Sequence, residues 1–184
     1  MDAREIFKNL ESELVNKLKK IKACAFDVDG VLTDGTVWWE GEEVGWNRTS
    51  HTSDGYGLKV LQRAGLKVGV ITGGNSLSIE KRYKENLGLD FVHSGKEDKR
   101  YAFDELLSTG LKSDEILYMG DEFFDIPLLK AAGFSATVSE AVGEVKDVCD
   151  YVSTLSGGRG AVRQVIDLVR YAQNIVPEVP DFPM

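Results

Sequence analysis

The stretch Ala25–Gly35, AFDVDGVLTDG, places two aspartates two residues apart at the end of a hydrophobic run. The whole run, IKACAFDV, is apolar on both faces, and turn residues follow Asp29 at once. Continuous apolar runs of this kind are typical of strands in the middle of a parallel sheet that is covered by helices on both faces. The stretch therefore predicts a buried strand that ends at Asp27 and Asp29.

Short apolar runs and helix-like segments alternate along the rest of the chain. The candidate strands are LKVGVIT, DFVHS, EILYMGD, FSATV and DYVST, and the segments between them are SLSIEKRYKENLG, DKRYAFDELLSTG and FFDIPLLKAAG. Each of the three helix-like segments ends in a glycine, where we expect a left-handed C-cap. Near the N-terminus, apolar residues recur every fourth position and predict one amphipathic helix: Ile6, Leu10, Leu14 and Leu18. The alternation predicts an α/β fold, a doubly wound, Rossmann-like parallel sheet with helices on both faces.

One segment departs from this alternation. TVWWEGEEVGWN, at about residues 36–47, contains two strand-like pieces around a turn and predicts a small β-hairpin flap. Its three tryptophans are more apolar surface than an isolated hairpin can bury, so they either pack on their own domain or form a surface for self-association. The chain of 184 residues is long enough for one domain and short for two. We expect a single domain over 1–184, without a large cap domain and with a tail at about 175–184.

Composition restricts the classes of partner. The chain has 22 Lys and Arg residues against 30 Asp and Glu residues, a net charge of −8, and no dense basic cluster, so we do not expect nucleic acid as a partner. It has no apolar run near the roughly 20 residues of a membrane span and no signal-peptide core, which indicates a cytoplasmic protein without membrane contact. Cys24 and Cys149 read as buried, reduced thiols, and His51 and His93 lack the spacing of metal ligands.

Polar and charged residues collect where the predicted strands end. In an open parallel sheet, ligands bind just beyond the carboxyl ends of the strands. The residues at these ends are Asp27, Asp29, Thr72, Gly73, Gly74, Lys96, Lys99, Asp121, Glu122 and Asp125. A single Asp-x-Asp pair is weak evidence, but this ordered set at one sheet edge predicts a functional site.

The order of these residues resembles that of the haloacid dehalogenase-like phosphohydrolase superfamily. Its first motif is matched by DVDGVLTD, and its later motifs are matched by Thr72, Lys99 and GDEFFD. Within the superfamily, SDGYG, ITGGNS and GGRGAVRQ resemble the capless family typified by 3-deoxy-D-manno-octulosonate 8-phosphate phosphatase. The resemblance covers nearly the whole chain. It implies a cytoplasmic Mg²⁺-dependent sugar-acid phosphatase of lipopolysaccharide biosynthesis that assembles as a homotetramer.

The resemblance also implies catalytic roles. Asp27 is expected to attack phosphorus and form an aspartyl phosphate, and Asp29 to act as general acid and base. Thr72 is expected to donate its hydroxyl to a phosphoryl oxygen. Lys99 is expected to neutralise charge on the phosphoryl group, although Lys96 competes for this role.

Metal and substrate residues follow from the same resemblance. The expected Mg²⁺ site consists of Asp27, Asp29, Asp121 and Asp125, where Asp125 can hold a metal-bound water. Glu122 departs from the double aspartate that is commonest in this branch. The expected substrate-binding residues are Asp54, Gly55, Gly73 and Arg159, whereas Arg163 could bridge subunits.

One departure from the family pattern leaves the substrate open. The octulosonate phosphatases carry an arginine before the Asp of SDGYG, and this chain has Ser53 there. The sequence TSD resembles instead phosphatases that act on nine-carbon keto sugar acids, and Arg48 could supply the missing cation from the same loop. A second alternative is a non-catalytic domain used for oligomerisation or regulation. A phosphomutase is disfavoured, because retaining an intermediate normally requires a cap.

Overall fold

The computed structural model describes residues 2–179, so the end of the predicted tail, residues 180–184, lies outside the described residues. Six parallel strands form the main sheet: β1 Ala23–Phe26, β4 Lys67–Ile71, β5 Phe91–His93, β6 Ile116–Met119, β7 Phe134–Thr137 and β8 Tyr151–Val152. Their order is β5-β4-β1-β6-β7-β8. The chain runs outward from β1 to one edge and then returns to build the other edge, which confirms the predicted doubly wound sheet.

Eight α-helices accompany the sheet within the described part of the chain: α1 Ala3–Lys8, α2 Ser12–Lys20, α3 Thr52–Arg63, α4 Leu77–Ile79, α5 Arg100–Ser108, α6 Ile126–Ala131, α7 Gly143–Lys146 and α8 Ala161–Gln173. A wider, π-helical segment, Glu80–Asn86, continues α4, and short 3₁₀ turns occur at Ser113–Glu115 and Phe123–Asp125. Helix α8 packs against α1, α2 and α3, whereas α5 packs against α6.

The central strands are apolar because both of their faces are covered. Every residue of β1 and β6 is buried, as the unbroken apolar runs predict. The free thiol of Cys24 lies in this core, and that of Cys149 is half-buried. A core of this kind fixes the strand ends, and with them the side chains that follow β1, β4 and β6.

The N-terminal segment differs from the single helix that the sequence predicts. Helices α1 and α2 are separate, and Leu10 lies in the link between them. Asn9 ends α1 in a non-helical conformation, and its side-chain amide donates to the carbonyl of Glu5 at 2.9 Å. Side-chain bonds of this type compete with helix continuation, which the apolar period alone does not reveal.

The prediction of a left-handed glycine at the end of each helix-like segment is wrong at one of the three positions. Gly88 and Gly110 have φ angles of 63° and 94°, as the prediction requires, but Gly133 does not have a positive φ. A Cβ atom at Gly133 would overlap the backbone of Asp114. Glycine therefore serves close backbone packing at this position.

The flap that the sequence predicts is present as a short antiparallel pair, β2 Trp38–Trp39 and β3 Trp46–Asn47. The rings of Trp39 and Trp46 meet edge to face, with centroids 5.5 Å apart. All three tryptophans remain 40–51% exposed, so the body of the domain does not bury them. No helix within residues 2–179 has both the length and the apolar character to cross a membrane.

Candidate active site

The turn after β1 holds Asp27 at the carboxyl edge of the sheet. Asp27 is buried, and its Oδ1 accepts the backbone N–H of Val28 at 2.7 Å. The hydroxyl of Thr33 donates to the carbonyl of Val28 at 3.1 Å and closes the turn. Gly30 has a φ of 89°, and a Cβ atom there would overlap the carboxylate of Asp121. The turn therefore requires glycine both for its backbone conformation and for space beside Asp121.

Lys99 supplies positive charge next to Asp27 at the carboxyl edge of the sheet. Its Nζ lies 3.0 Å from Oδ2 of Asp27 and 2.7 Å from Oδ1 of Asp125, and its side chain is fully buried. The ring of Phe124 lies 4.5 Å from the same Nζ. Lys96, the competing lysine, is exposed and lies over the ring of Tyr101. The structure thus brings Lys99, and not Lys96, to Asp27.

Asp125 organises the loop after β6. Its Oδ1 also accepts the hydroxyl of Tyr118 at 2.5 Å, and its Oδ2 accepts the backbone N–H groups of Asp121 and Glu122 at 3.0 and 3.2 Å. These bonds occupy both oxygens of a fully buried carboxylate. The sequence pattern does not identify Tyr118 as a site residue, because Tyr118 looks like one more apolar residue of a buried strand. Its polar tip next to the GDEFFD motif is the signal that could have identified it.

Three carboxylates converge beside this loop. Asp27, Asp121 and Asp125 each offer an oxygen within 4.8 Å of the others. Oδ1 of Asp121 is buried without a hydrogen-bond partner among the described residues. Burial, reinforced by the charge of Asp125, raises the pKa of Asp121 to about 7. A hard divalent cation would satisfy this oxygen and offset the repulsion, so the donor set fits Mg²⁺.

Asp29, the fourth predicted metal residue, stands apart from this cluster. Its carboxylate is held by Arg48, whose Nε and Nη2 donate to Oδ1 and Oδ2 at 2.6 and 3.2 Å. Both side chains line a cleft of about 260 Å³ together with Trp46 and Asn75. The carboxylate of Asp29 therefore lies towards the cleft and outside the cluster of three carboxylates, so it is not a side-chain member of that cluster.

Thr72 and the glycines after it lie at the end of β4. Thr72 is buried, and its Oγ1 accepts the backbone N–H of Gly74 at 3.2 Å. Gly73 is exposed at the surface of the loop. The absence of side chains on the two glycines leaves room for an anion to approach the backbone beside Thr72.

Two predicted substrate residues lie inside the protein instead of facing the cleft. Asp54 is fully buried and accepts the backbone N–H groups of Gly160 and Arg163, at 3.3 and 2.7 Å. Burial raises the pKa of this carboxyl group, and the two N–H donors oppose the shift. Gly55 is also buried, and a Cβ atom there would press against the guanidinium of Arg82. The geometry assigns Asp54 to capping α8 and Gly55 to helix packing.

The GGRG segment packs beside the turn after β1. The backbone N–H of Gly158 donates to the carbonyl of Val31 at 3.0 Å. The side chain of Arg159 is largely exposed, and its Nη2 lies 3.3 Å from Oδ2 of Asp34. Arg163 pairs with Asp167 at 3.0 Å on its own helix. Arg159 is therefore the arginine of this segment that remains accessible to a ligand.

Comparisons with known proteins agree with this geometry. Residues 57–133 match the family model of haloacid dehalogenase-like hydrolases. The 3-deoxy-D-manno-octulosonate 8-phosphate phosphatase of Escherichia coli (strain K12) is 33% identical over 172 residues, covering 92% of this chain and 89% of the relative.

Solved structures share the fold over similar lengths. A Legionella pneumophila protein assigned to the HAD superfamily (subfamily III A) has a TM-score of 0.84 at 41% identity, covering 93% of this chain and 92% of that one. The 3-deoxy-D-manno-octulosonate 8-phosphate phosphatase of Moraxella catarrhalis, solved with magnesium ion, phosphate ion and KDO, has a TM-score of 0.83 at 34% identity, covering 88% and 92%.

The relatives span nearly the whole chain, and their fold is the one described above. The chain therefore belongs to the 3-deoxy-D-manno-octulosonate 8-phosphate phosphatase family of the haloacid dehalogenase-like hydrolases and is a phosphoric monoester hydrolase.

Proposed function

We propose that the protein is a Mg²⁺-dependent phosphatase that hydrolyses 3-deoxy-D-manno-octulosonate 8-phosphate through an aspartyl phosphate on Asp27. The observation that carries the proposal is the position of Asp27, buried at a strand end, 3.0 Å from Lys99 and next to Asp121. The E. coli relative is a phosphatase of this substrate, and the Moraxella structure contains magnesium, phosphate and the sugar acid KDO. These relatives support the choice of substrate and metal.

The first step is attack by the carboxylate of Asp27 on phosphorus. A P–O bond to Asp27 forms, and the P–O bond to the sugar breaks. Uncatalysed hydrolysis of phosphate monoesters is so slow that enzymes accelerate it by up to about 10²¹-fold, so covalent catalysis and charge neutralisation are both needed. Lys99 supplies positive charge beside Asp27. The Thr72 hydroxyl would donate to a phosphoryl oxygen, and the glycines after it, Gly73 and Gly74, would let backbone N–H groups approach the same anion.

Asp29 serves both halves of the reaction. It gives a proton to the departing sugar oxygen, and it then takes a proton from the water that attacks the phosphorus of the aspartyl phosphate. The second attack breaks the bond to Asp27, releases inorganic phosphate and restores the free carboxylate. The position of Asp29 on the cleft side of the turn supports this role.

Asp27 and Asp121 would hold Mg²⁺, and Asp125 would hold the Asp121 loop in place. When bound, Mg²⁺ neutralises negative charge that the crowded carboxylates and the phosphoryl group would otherwise share. The two N–H bonds that Asp125 accepts from the loop support a positioning role for it.

A nine-carbon keto sugar acid phosphate is the second candidate substrate. The observation that favours it is Ser53, which stands at the start of α3 where the octulosonate enzymes carry arginine. A hydroxyl cannot replace the charge of a guanidinium in binding a carboxylate. Turnover of the eight-carbon and nine-carbon acid phosphates by purified enzyme, with a neutral sugar phosphate as control, decides between them. A kcat/KM for the eight-carbon acid no higher than for the neutral sugar would contradict the leading proposal.

We further propose a homotetramer in which a neighbouring subunit covers the hairpin. The exposure of Trp38, Trp39 and Trp46 supports this assembly, since apolar patches of this kind mark interfaces. Residues 2–179 contain no large cap domain, so a neighbouring subunit is the available cover for the cleft. Arg159 would contact the substrate in this covered site, and its exposure supports this role.

A further inference from the structure

Arg48 is almost completely buried beside the candidate active site. It directly follows β3 of the hairpin, and its side chain is 7% exposed. Besides both oxygens of Asp29, its guanidinium binds the hydroxyl groups of Ser76 and Ser78, at 2.6 and 2.9 Å. All three guanidinium nitrogens thus have partners within the protein.

The contact with Asp29 has the two-point geometry in which arginine fixes a carboxylate. A planar guanidinium fork restrains both the position and the plane of the carboxylate, which a single lysine ammonium cannot do. Within residues 2–179, no other basic side chain lies at ion-pair distance from Asp29. The orientation of the Asp29 carboxylate therefore depends on Arg48.

The same side chain joins three parts of the fold. Asp29 lies in the turn after β1, Arg48 follows the hairpin, and Ser76 and Ser78 lie at the start of α4. The hydroxyl of Ser78 also donates to the carbonyl of Trp46 at 3.2 Å. The position of the hairpin is thus transmitted to Asp29 through hydrogen bonds.

We propose that Arg48 is a positioning residue that orients Asp29 for proton transfer to and from the reacting oxygens, and that it couples this orientation to the hairpin. This inference rests on the proposed function, because it assigns Asp29 the acid and base role. The guanidinium has its partners in Asp29 and the two serines, so it acts through Asp29 and not as the residue that binds the sugar carboxylate.

The variants Arg48→Ala and Arg48→Lys test the role in otherwise intact enzyme. General acid–base catalysis contributes roughly 10²–10⁴-fold, so loss of its alignment should lower kcat for the sugar phosphate about tenfold or more. The KM should stay within about twofold. The single-turnover release of p-nitrophenol from p-nitrophenyl phosphate, which precedes hydrolysis of the aspartyl phosphate, should slow much less than release of the sugar, because a good leaving group needs little protonation. Arg48→Lys should recover only part of the loss. Arg63→Ala, an exposed arginine at the end of α3, is the matched control and should retain wild-type kinetics.

A double-mutant cycle with Asp29→Asn separates this role from substrate binding. Single-turnover rates, measured with enzyme in excess, should fall with Arg48→Ala in the wild-type background and change less than about twofold in the Asp29→Asn background. An equal loss in both backgrounds, or a raised KM with unchanged kcat, would overturn the inference. Thermal melting of each variant identifies unfolding, and Arg48→Lys provides the comparison if Arg48→Ala does not fold. The proposed function itself would be contradicted by a different result, which is full turnover by a folded Asp27→Asn variant.

Discussion

The Nζ atom of Lys99 lies 3.0 Å from Oδ2 of Asp27, and both side chains are buried. Two elements far apart in sequence, the end of β1 and the start of α5, bring this pair together. Lys99 also contacts Asp125, so one ammonium group balances two buried carboxylates. The integrity of the sheet edge and, in the proposed mechanism, the binding of the phosphoryl group therefore depend on the same cation.

Replacing this cation should damage both activity and stability. Lys99→Met keeps the apolar length of the side chain but leaves buried carboxylates unpaired, which typically costs about 3–5 kcal/mol in unfolding free energy. We expect kcat to fall by about 10²–10³ or more, as for loss of one electrostatic group in an active site. Lys96→Met is the control, because Lys96 is exposed on the same loop. Chemical denaturation measures the unfolding free energy of each variant. A near-normal kcat in a folded Lys99→Met enzyme would refute the role of Lys99.

The contact between Gly30 and Asp121 gives a second prediction. Gly30→Ala places a methyl group against the Asp121 carboxylate and should weaken Mg²⁺ binding as well as turnover. Gly65→Ala is a matched control: its φ of 91° resembles the 89° of Gly30, yet a Cβ atom there meets nothing within 4 Å. Each variant should lose about 1–2 kcal/mol of unfolding free energy from the backbone conformation alone. Calorimetric titration with Mg²⁺ should show reduced affinity only for Gly30→Ala, and equal affinities would rule out the steric argument.

Asp54 should prove structural. Asp54→Ala removes the acceptor of two backbone N–H groups at the start of α8, and loss of a capping acceptor costs about 0.5–2 kcal/mol. We expect a lower melting temperature with KM for the sugar phosphate nearly unchanged. Asp2→Ala, which removes the exposed cap of α1, is the comparison and should cost less. A large rise in KM at unchanged stability would instead place Asp54 in the substrate site.

The hairpin gives a prediction about assembly. Trp38→Ser combined with Trp39→Ser should dissociate the proposed tetramer, because it removes exposed apolar surface that a neighbour would cover. The KM for the sugar acid phosphate should rise more than that for p-nitrophenyl phosphate. Val176→Ser, which changes an exposed apolar residue outside the hairpin, should leave the mass unchanged. Light scattering reports the mass, and a monomeric wild-type protein with full sugar-acid activity would exclude the proposal.

The fold and the set of strand-end residues could be predicted from the sequence because both rest on local patterns. An apolar run that ends in Asp27 marks a buried strand and its carboxyl end simultaneously. Parallel strands present these ends at one edge, so the sequence also predicts that Asp27, Lys99 and Asp121 meet. Their residue types then limit the chemistry.

The remaining features depend on contacts that no local pattern encodes. Arg48 and Asp29 are 19 residues apart, and their pairing depends on where the hairpin docks. Asp54 and Arg163 are 109 residues apart, so the capping of α8 by Asp54 is visible only in the folded chain. The motif alone suggests a substrate role for Asp54, because a resemblance between sequences does not reveal whether the side chain is buried.

The central claim is that Asp27 forms a bond to phosphorus, and trapping of that bond tests it most directly. The Asp29→Asn variant should hydrolyse the aspartyl phosphate slowly, because it lacks the base that activates water. It should be mixed with p-nitrophenyl phosphate, whose leaving group needs little protonation by Asp29, and with Mg²⁺, quenched in acid within the first turnover, and digested for mass spectrometry. We predict one phosphoryl group on the peptide that contains Asp27, and none when Asp27 is also replaced by Asn. Release of p-nitrophenol without a phosphoryl group on Asp27, or with one on another residue, would contradict the account.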